Sequence, residues 1–258
     1  MSKAKRRFHQ VAPWILPVVI LLAWHLLTST GLLPANVLPQ PLQVLSVLVS
    51  LVKSGELFVH IGISAQRALS GFLIGGGIGF LFGLINGFWR TAERLSDSSI
   101  QMVRTIPHLS LIPLVIIWFG IEEPAKLVLV GLGVFFPVYL NTFHGIRSID
   151  PGLIEMGKVY GLSNVSLYLH IILPGALPSI LVGVRYALGI MWLTLIVAET
   201  VAAKSGLGYM AMHAREFFQM DVIVLSILIY ALLGKLSDSS AKLLERWWLQ
   251  WNPNYSSR

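Results

Sequence analysis

The sequence contains no cysteine among its 258 residues, and charged residues make up only 12% of the chain. Without cysteine the protein has no disulfide, no thiol nucleophile and no thiolate ligand for a metal. Because the chain is 55% hydrophobic and carries about half the charge of an average soluble domain, an ordinary soluble protein is excluded. A mean hydropathy of +0.74 agrees with this and predicts an integral membrane protein.

The sequence also lacks the motifs of common catalytic and metal-binding sites. There is no G-x4-G-K-[ST] phosphate loop, so the chain cannot bind and split ATP by that route. The seven histidines are scattered without an H-E-x-x-H pattern, and no G-x-S-x-G nucleophile motif is present. The stretch GGGIG lies inside an apolar run and lacks the spacing of a dinucleotide site. We therefore expect no enzyme activity, no metal site and no cofactor on this chain.

Six apolar runs approach the length that crosses about 30 Å of hydrocarbon. They cover residues 13–27, 68–89, 106–119, 127–143, 178–203 and 222–236. The third contains Pro107 and Pro113, which predicts a kinked or partly broken helix. The first lacks a clear signal-peptide cleavage site and is therefore interpreted as a membrane helix. The predicted fold class is all-α, a polytopic membrane helix bundle of about six transmembrane helices.

The positively charged residues are distributed unevenly between the two sides of such a bundle. With six crossings, thirteen of the 19 lysines and arginines fall on the side of the N-terminus, five fall on the other side, and Arg185 lies within a span. Both termini and the connection 144–177 are therefore predicted to be cytoplasmic. The domain division is then a cytoplasmic tail 1–12, a transmembrane domain 13–236 and a cytoplasmic tail 237–258. The net charge of +7 is a topology signal, and no nucleic-acid binding is expected.

The connection contains its own helix boundaries. Asp150 is a good N-cap, Pro151 suits the first helical position, and Gly161 suits a left-handed C-terminal residue. Ser163 can cap a second helix that ends before a proline, at Leu173. The apolar face of the first helix has helical spacing and comprises Leu153, Met156, Gly157 and Tyr160. The predicted helix-turn-helix could dock in a groove of a partner or lie on the lipid headgroups, and these residues alone leave both possibilities open.

The same segment resembles the EAA loop of permease subunits of bacterial ABC importers, E-A-A-x3-G-x9-I-x-L-P. The matching residues are Glu155, Gly161, Ile171, Leu173 and Pro174, with Met156 and Gly157 in the places of the two alanines. The stretches MVRTIPHLSLIPLVIIWFGI, NTFHGIRSIDPGLIEMG and GVRYALGIMWLTLIVAET are similar to the aliphatic sulfonate group of these permeases. They are also similar to its relatives for taurine, nitrate and thiamine-precursor pyrimidines.

The resemblance implies a type I ABC importer permease fold in the bacterial inner membrane. It implies a second permease copy, two cytoplasmic ATPase subunits that would bind ATP and Mg²⁺, and an extracytoplasmic substrate-binding protein. The residues that would couple to the ATPase are Glu155, Met156, Gly157, Tyr160, Gly161, Ile171, Leu173 and Pro174. An ion-coupled secondary transporter is the remote alternative, and co-purification with an ATPase and a binding protein would distinguish the two.

Glycine recurs every fourth residue through the second apolar run, at Gly71, Gly75, Gly79, Gly83 and Gly87. This spacing removes side chains from one helix face and allows another helix to approach closely. The partner helix is expected either within the subunit or across a dimer interface.

The fifth run carries two ionisable residues on one helix face. Arg185 and Glu199 lie about four turns apart, with Trp192 midway between them. Such residues within a membrane normally face a bundle interior or a wet cavity. They are candidates for the translocation path; alternatively, each pairs with a polar group on a neighbouring helix and stabilises the bundle.

Overall fold

The computed structural model describes the backbone of residues 3–252 and the side chains of residues 12, 14–201 and 203–252. This part of the chain is α-helical and contains no strand. The helices are α1 (Lys3–Ser29), α2 (Pro41–Ser54), α3 (Glu56–Phe88), α4 (Arg90–Thr105), α5 (Ile112–Phe119), α6 (Glu123–Arg147), α7 (Pro151–Val159), α8 (Asn164–Leu167), α9 (Leu173–Ala202), α10 (Leu207–Glu216) and α11 (Met220–Trp248).

Four helical segments of the described chain are long and apolar enough to cross a membrane: α3, α6, Asn164–Val201 and α11. A fifth crossing is possible if α4 and His108–Phe119 form one span, which is bent by 82°. The bend confirms the predicted break in the third apolar run. Pro107 disfavours helical geometry in the residue before it, and Ile106 is accordingly extended, with φ −75° and ψ 121°.

The first apolar run lies in α1, which has 27 residues and is apolar over Trp14–Ser29. The indole Nε1 of Trp24 donates a hydrogen bond to the carbonyl oxygen of Pro39 at 2.8 Å, which ties α1 to the segment before α2. The predicted orientation depends partly on basic residues near the two termini. Five of these lie outside the described side chains: Lys3, Lys5, Arg6, Arg7 and Arg258.

Two predicted boundaries were wrong in the same way. Helix α3 begins twelve residues before position 68 and α6 begins four residues before position 127, so Arg67 and Lys126 lie inside helices. Both had been assigned to connections because charge interrupts the hydropathy pattern. Each is nevertheless buried, with 5% and 2% of its surface exposed, because its charge is neutralised by neighbouring carboxylates. Arg185 is therefore not the only basic residue within a span.

The glycine face of α3 contacts α6 within the same subunit, which resolves the two possibilities left open by the sequence. A methyl group on Gly83 would lie 2.6 Å from Cβ of Thr142 and 2.9 Å from the carbonyl oxygen of Tyr139. The other four glycines meet α6 in the same way, Gly71 at Val130, Gly75 at Gly131, Gly79 at Phe135 and Gly87 at Ile146. We call this contact the glycine seam.

Helices α3 and α6 run in one direction, whereas α9 runs back between the same two ends. At one end, the buried side chains of Ile146, Leu167, Ile172 and Ala176 form a cluster that holds α7 and α8 on the bundle. We call this the hairpin end. At the opposite end, the last turn of α9 meets the first part of α3, the start of α6 and α10. Helix α11 runs without interruption across the predicted domain boundary at 236 to Trp248.

The predicted helix end at Leu173 was wrong. A π-helical turn, Tyr168–Ile172, joins α8 to α9, so that Asn164–Val201 is one continuous helical span. In this turn the backbone N–H of Leu173 donates to the carbonyl oxygen of Tyr168. The extra residue in the turn explains why Pro174, which lacks an N–H group, does not end the helix.

Candidate functional site

Local hydrogen bonds define the hairpin of α7 and α8 as the sequence predicted. The carboxylate of Asp150 accepts a hydrogen bond from the backbone N–H of Gly152 at 2.8 Å. Gly161 has φ +78°, and the following N–H of Leu162 donates to the carbonyl oxygen of Gly157 at 3.0 Å. Such closure of a helix by a left-handed glycine leaves the chain free to reverse direction. The Ser163 hydroxyl then accepts from the next helix, from the N–H of Ser166 at 3.2 Å, as predicted for its cap.

The predicted apolar face of α7 is divided in the structure. Gly157 is buried inside the hairpin, where a methyl group would lie 2.7 Å from Cδ1 of Ile171 and 3.3 Å from Cδ1 of Leu167. It therefore does not share the outward face that the helical spacing assigned to it. The outward apolar residues, which we call the hairpin surface, are Leu153, Met156, Val159 and Tyr160. Sequence reasoning missed Val159, although it is 85% exposed and lies three residues after Met156.

The remaining residues of the EAA-like pattern have different surroundings. Glu155 is exposed and makes no hydrogen bond or ion pair with any described residue. Ile171 is half-buried against Gly157, while Leu173 and Pro174 are half-buried in the continuous helix. The pattern therefore combines two physical tasks, because Gly157, Gly161 and Ile171 shape the hairpin whereas Glu155 and Met156 face outward.

The hairpin is attached to the bundle through apolar contacts and through the backbone itself. The rings of Phe88 and Tyr168 lie 4.6 Å apart, which joins the end of α3 to the start of the continuous span. A methyl group on Gly175 would meet Cδ1 of Ile149 at 2.6 Å, so the segment that leads into α7 also contacts α9. The hairpin is thus in direct contact with α9.

The hairpin helix also approaches the phosphate-loop pattern without satisfying it. Residues 152–158 read G-L-I-E-M-G-K, but Val159 stands where the pattern needs a Ser or Thr hydroxyl for Mg²⁺. Moreover, these residues form α-helix α7, not a glycine-rich loop that follows a strand. The described residues also contain no group of three His, Asp or Glu side chains suited to a metal ion.

In the middle of α9, Arg185 faces α11. Its Nε donates to Oδ1 of Asp238 at 2.6 Å, and Glu245 lies 3.9 Å from its Nη1. Lys242 reaches the same Asp238 carboxylate at 2.7 Å. A cavity of about 400 Å³ adjoins the pair and is lined by Val182, Arg185, Tyr186, Gly189 and Asp238. Two turns further along, the Nε1 of Trp192 donates to the Ser237 hydroxyl at 2.8 Å.

Glu199 lies at the opposite end of the bundle and is fully buried. Its carboxylate accepts hydrogen bonds from the Ser64 hydroxyl at 2.8 Å, from Arg67 Nη1 at 2.8 Å and from the Tyr230 hydroxyl at 2.9 Å. The backbone N–H of Gly208 is a further donor at 2.9 Å. In this arrangement Glu199 connects four helices and does not face an open path; its proposed place on the translocation path stays a prediction.

Arg67 extends this network to α6. Its Nε and Nη2 donate to the two carboxylate oxygens of Glu123, both at 2.6 Å, while Nη2 also contacts the Ser205 hydroxyl at 3.0 Å. Lys126 lies 3.4 Å from the same Glu123 carboxylate. We call Arg67, Glu123, Lys126 and Glu199 the opposite-end cluster. A sequence signal for Arg67 existed, because it precedes Gly71 by four residues and so continues the glycine face of α3.

The bundle of long apolar helices is typical of a multi-pass membrane protein. Residues 75–250 match the family model described as the binding-protein-dependent transport system inner membrane component, and the chain belongs to this family. It is therefore the inner-membrane permease component and not the ATPase of such a system.

The chain is similar over nearly its whole length to proteins named as aliphatic sulfonates transport permease SsuC. It is 61% identical to that of Escherichia coli K12, over 98% of this chain and 97% of the relative. It is 45% identical to that of Bacillus subtilis 168, over 97% of this chain and 91% of the relative. The taurine transport system permease TauC of Escherichia coli K12 is 33% identical, over 91% and 87% of the two chains.

Solved structures establish the fold independently. An amino acid ABC transporter with histidines superimposes with a TM-score of 0.59 at 19% identity, covering 77% of this chain and 97% of that one. An inward-facing MetNI methionine ABC transporter gives a TM-score of 0.52 at 19% identity, over 74% and 94%. The protein therefore has the type I ABC importer permease fold, as predicted.

Proposed function

We propose that this chain is the transmembrane permease subunit of an ATP-driven importer of aliphatic sulfonates. The observation that carries the proposal is the 61% identity, over 98% of the chain, to a permease named for these substrates. The taurine permease named above is less similar, at 33%. Taurine, nitrate and thiamine-precursor pyrimidines are the alternatives within the same class of importer.

The assembly that we propose places the hairpin end in the cytoplasm. The excess of lysine and arginine on the side of the hairpin supports this orientation, and with α1 as a sixth crossing both termini lie on that side. A second copy of the chain would complete the translocation path, and an extracytoplasmic binding protein would deliver the sulfonate to the opposite end. Two ATPase subunits, which would carry the ATP and Mg²⁺, would each hold one hairpin.

The hairpin surface is suited to such an ATPase. Tyr160 is 80% exposed, and Leu153 and Met156 are each about half exposed, on a helix too short to bury them itself. An exposed apolar helix face of this kind fits a groove on a partner, with the outward Glu155 beside it for a polar contact. We propose that the hairpin surface, and not the buried Gly157, forms the docking contact.

Coupling would proceed through the continuous helical span. When ATP binding draws the two ATPase subunits together, each docked hairpin is displaced. Because α8 continues into α9 without a break, the displacement reaches Arg185 and, further on, Glu199. Opening of the path to the binding protein is the expected result, and ATP hydrolysis would restore the starting arrangement.

Uptake by the complete complex in proteoliposomes tests the proposal. With the binding protein outside and ATP inside, we expect uptake of ethanesulfonate, and weaker or no uptake of taurine, nitrate or a thiamine-precursor pyrimidine. Omission of ATP or of the binding protein should each abolish uptake. Uptake that an ion gradient sustains without ATP would contradict the proposed class, and uptake of nitrate in preference to sulfonate would contradict the substrate.

A further inference from the structure

The net charge of the opposite-end cluster is zero only because it includes Glu123, its most exposed member. The side chains of Arg67, Lys126 and Glu199 are 5%, 3% and 0% exposed, and together they carry one net positive charge. The charge that balances them is the carboxylate of Glu123, whose side chain is 54% exposed. A buried positive charge is thus neutralised by a side chain that is itself about half exposed to solvent.

The two edges of the Arg67 guanidinium have separate partners. Its Nη1 donates to the buried Glu199 and to the carbonyl oxygen of Ser205, at 2.8 and 2.6 Å. The other edge, Nε and Nη2, is directed entirely at Glu123 and Ser205 Oγ. If Glu123 moved away, Glu199 would still hold the guanidinium in place. The edge left open would then present two parallel N–H donors, a geometry that matches two oxygens of a carboxylate or sulfonate.

A cavity adjoins this edge of the guanidinium. It has a volume of about 290 Å³ and is lined by Ile63, Gln66, Arg67, Ser70, Glu123, Leu127 and Ser205. The polar lining suits a sulfonate head, whereas Ile63 and Leu127 can contact a short alkyl chain. About 30 Å of helix separate Arg67 from the hairpin end of α3, so the cavity lies near the side of the membrane where the binding protein would dock.

We infer that the opposite-end cluster is an anion-exchange site in which a substrate sulfonate displaces the carboxylate of Glu123 from Arg67 and Lys126. The inference rests on the proposed function for the identity of the anion. In the empty protein, Glu123 neutralises the buried positive charge; during uptake, the sulfonate takes its place and Glu123 turns to solvent. Competition with Glu123 keeps the anion weakly held, which allows it to move on.

The test compares Glu123→Gln with Glu122→Gln in the permease and ATPase complex, reconstituted in nanodiscs without binding protein. Glutamine has nearly the size of glutamate but cannot neutralise the two cations. Glu122 is the adjacent exposed carboxylate and has no ion pair among the described residues, so it is a matched control. The measurement is the thermal unfolding midpoint of the complex against ethanesulfonate concentration, with neutral ethyl methyl sulfone as the second probe.

We expect Glu123→Gln to bind ethanesulfonate at least about fivefold more tightly than the wild type, because its competitor is gone. Glu122→Gln should match the wild type, and the neutral sulfone should have no effect on any variant. Equal ethanesulfonate affinities in the three proteins would overturn the inference, as would equal stabilisation by the sulfone.

The uptake experiment separates this inference from the proposed function. If the wild-type complex imports ethanesulfonate and Glu123→Gln shows no gain in affinity, the exchange site fails and the function stands. If Glu123→Gln binds ethanesulfonate tightly while the wild-type complex imports none, the proposed substrate fails and the anion site stands.

Discussion

Replacement of Gly157 by tryptophan tests whether this residue shapes the hairpin or contacts the ATPase. A single added Cβ would already lie 2.7 Å from Ile171 Cδ1, closer than side chains approach one another in proteins. Because that atom ends a flexible side chain, one methyl group can be accommodated, and Gly157→Ala should fold normally with little change in stability. An indole ring cannot be accommodated between α7 and Ile171, and overpacking of this kind costs about 1–3 kcal/mol.

A nine-residue helix held by few apolar contacts cannot absorb such a cost without moving. We therefore expect Gly157→Trp to displace α7 in the isolated permease, before any ATPase is present. Limited proteolysis of the detergent-solubilised permease should show new cleavage between positions 150 and 163. Co-purification of the ATPase should fall about tenfold, which corresponds to about 1.4 kcal/mol of lost affinity.

Met156→Ala is the matched control, because it removes a neighbouring side chain of the hairpin surface and leaves the interior unchanged. It should weaken retention of the ATPase while the isolated permease keeps its wild-type cleavage pattern. If Gly157→Trp instead loses the ATPase with a wild-type cleavage pattern, Gly157 faces the partner and our assignment of the two faces is refuted. Full retention of the ATPase by Gly157→Trp would refute the importance of the hairpin altogether.

Three further predictions concern other parts of the chain. Gly161→Val places a β-branched residue at φ +78°, at a cost of at least about 1 kcal/mol. This variant should lower the stimulation of ATP hydrolysis by loaded binding protein and leave basal hydrolysis intact. Unchanged stimulation would contradict the role of the turn. Gly83→Ala should sharply reduce the yield of monodisperse permease in size-exclusion chromatography. Gly77→Ala is the control and should leave the yield unchanged, because a methyl group there meets nothing within 4 Å. Equal yields of the two variants would contradict the glycine seam. Arg185→Met should lower the transport rate per assembled complex, and Arg185→Lys should restore part of it; if both variants and Asp238→Asn reduce only the amount of folded protein, the ion pair is structural.

Features governed by local chemistry could be predicted from the sequence. The Asp150 cap, the left-handed Gly161 and the Ser163 cap each depend on neighbours within a few residues, and all three predictions were confirmed. The break at Pro107 belongs to the same class, because proline restricts the residue directly before it.

Features governed by tertiary contacts could not be predicted in this way. Helical spacing places Gly157 on the face of Met156, but only the return of the chain at Ile171 decides which side of that face is buried. Likewise, Pro174 was predicted to end a helix, but a π-helical turn keeps the helix continuous. No local sequence rule predicts such a turn. The burial of Arg67 and Lys126 could not be predicted either, because the carboxylates that neutralise them come from other helices or other turns.

The glycine seam limits how the permease can change shape. Its five contacts extend over about 24 Å of helix, and at Gly75 and Gly79 the backbone of α3 lies directly against the backbone of α6. Helices in such contact can neither slide by a residue nor rotate, because every intermediate position would place a Cβ where only hydrogen fits. Spin labels on α3 and α6 should therefore keep one separation throughout the transport cycle, and the angular change between inward-open and outward-open states must be taken up elsewhere, at joints such as the extended Ile106.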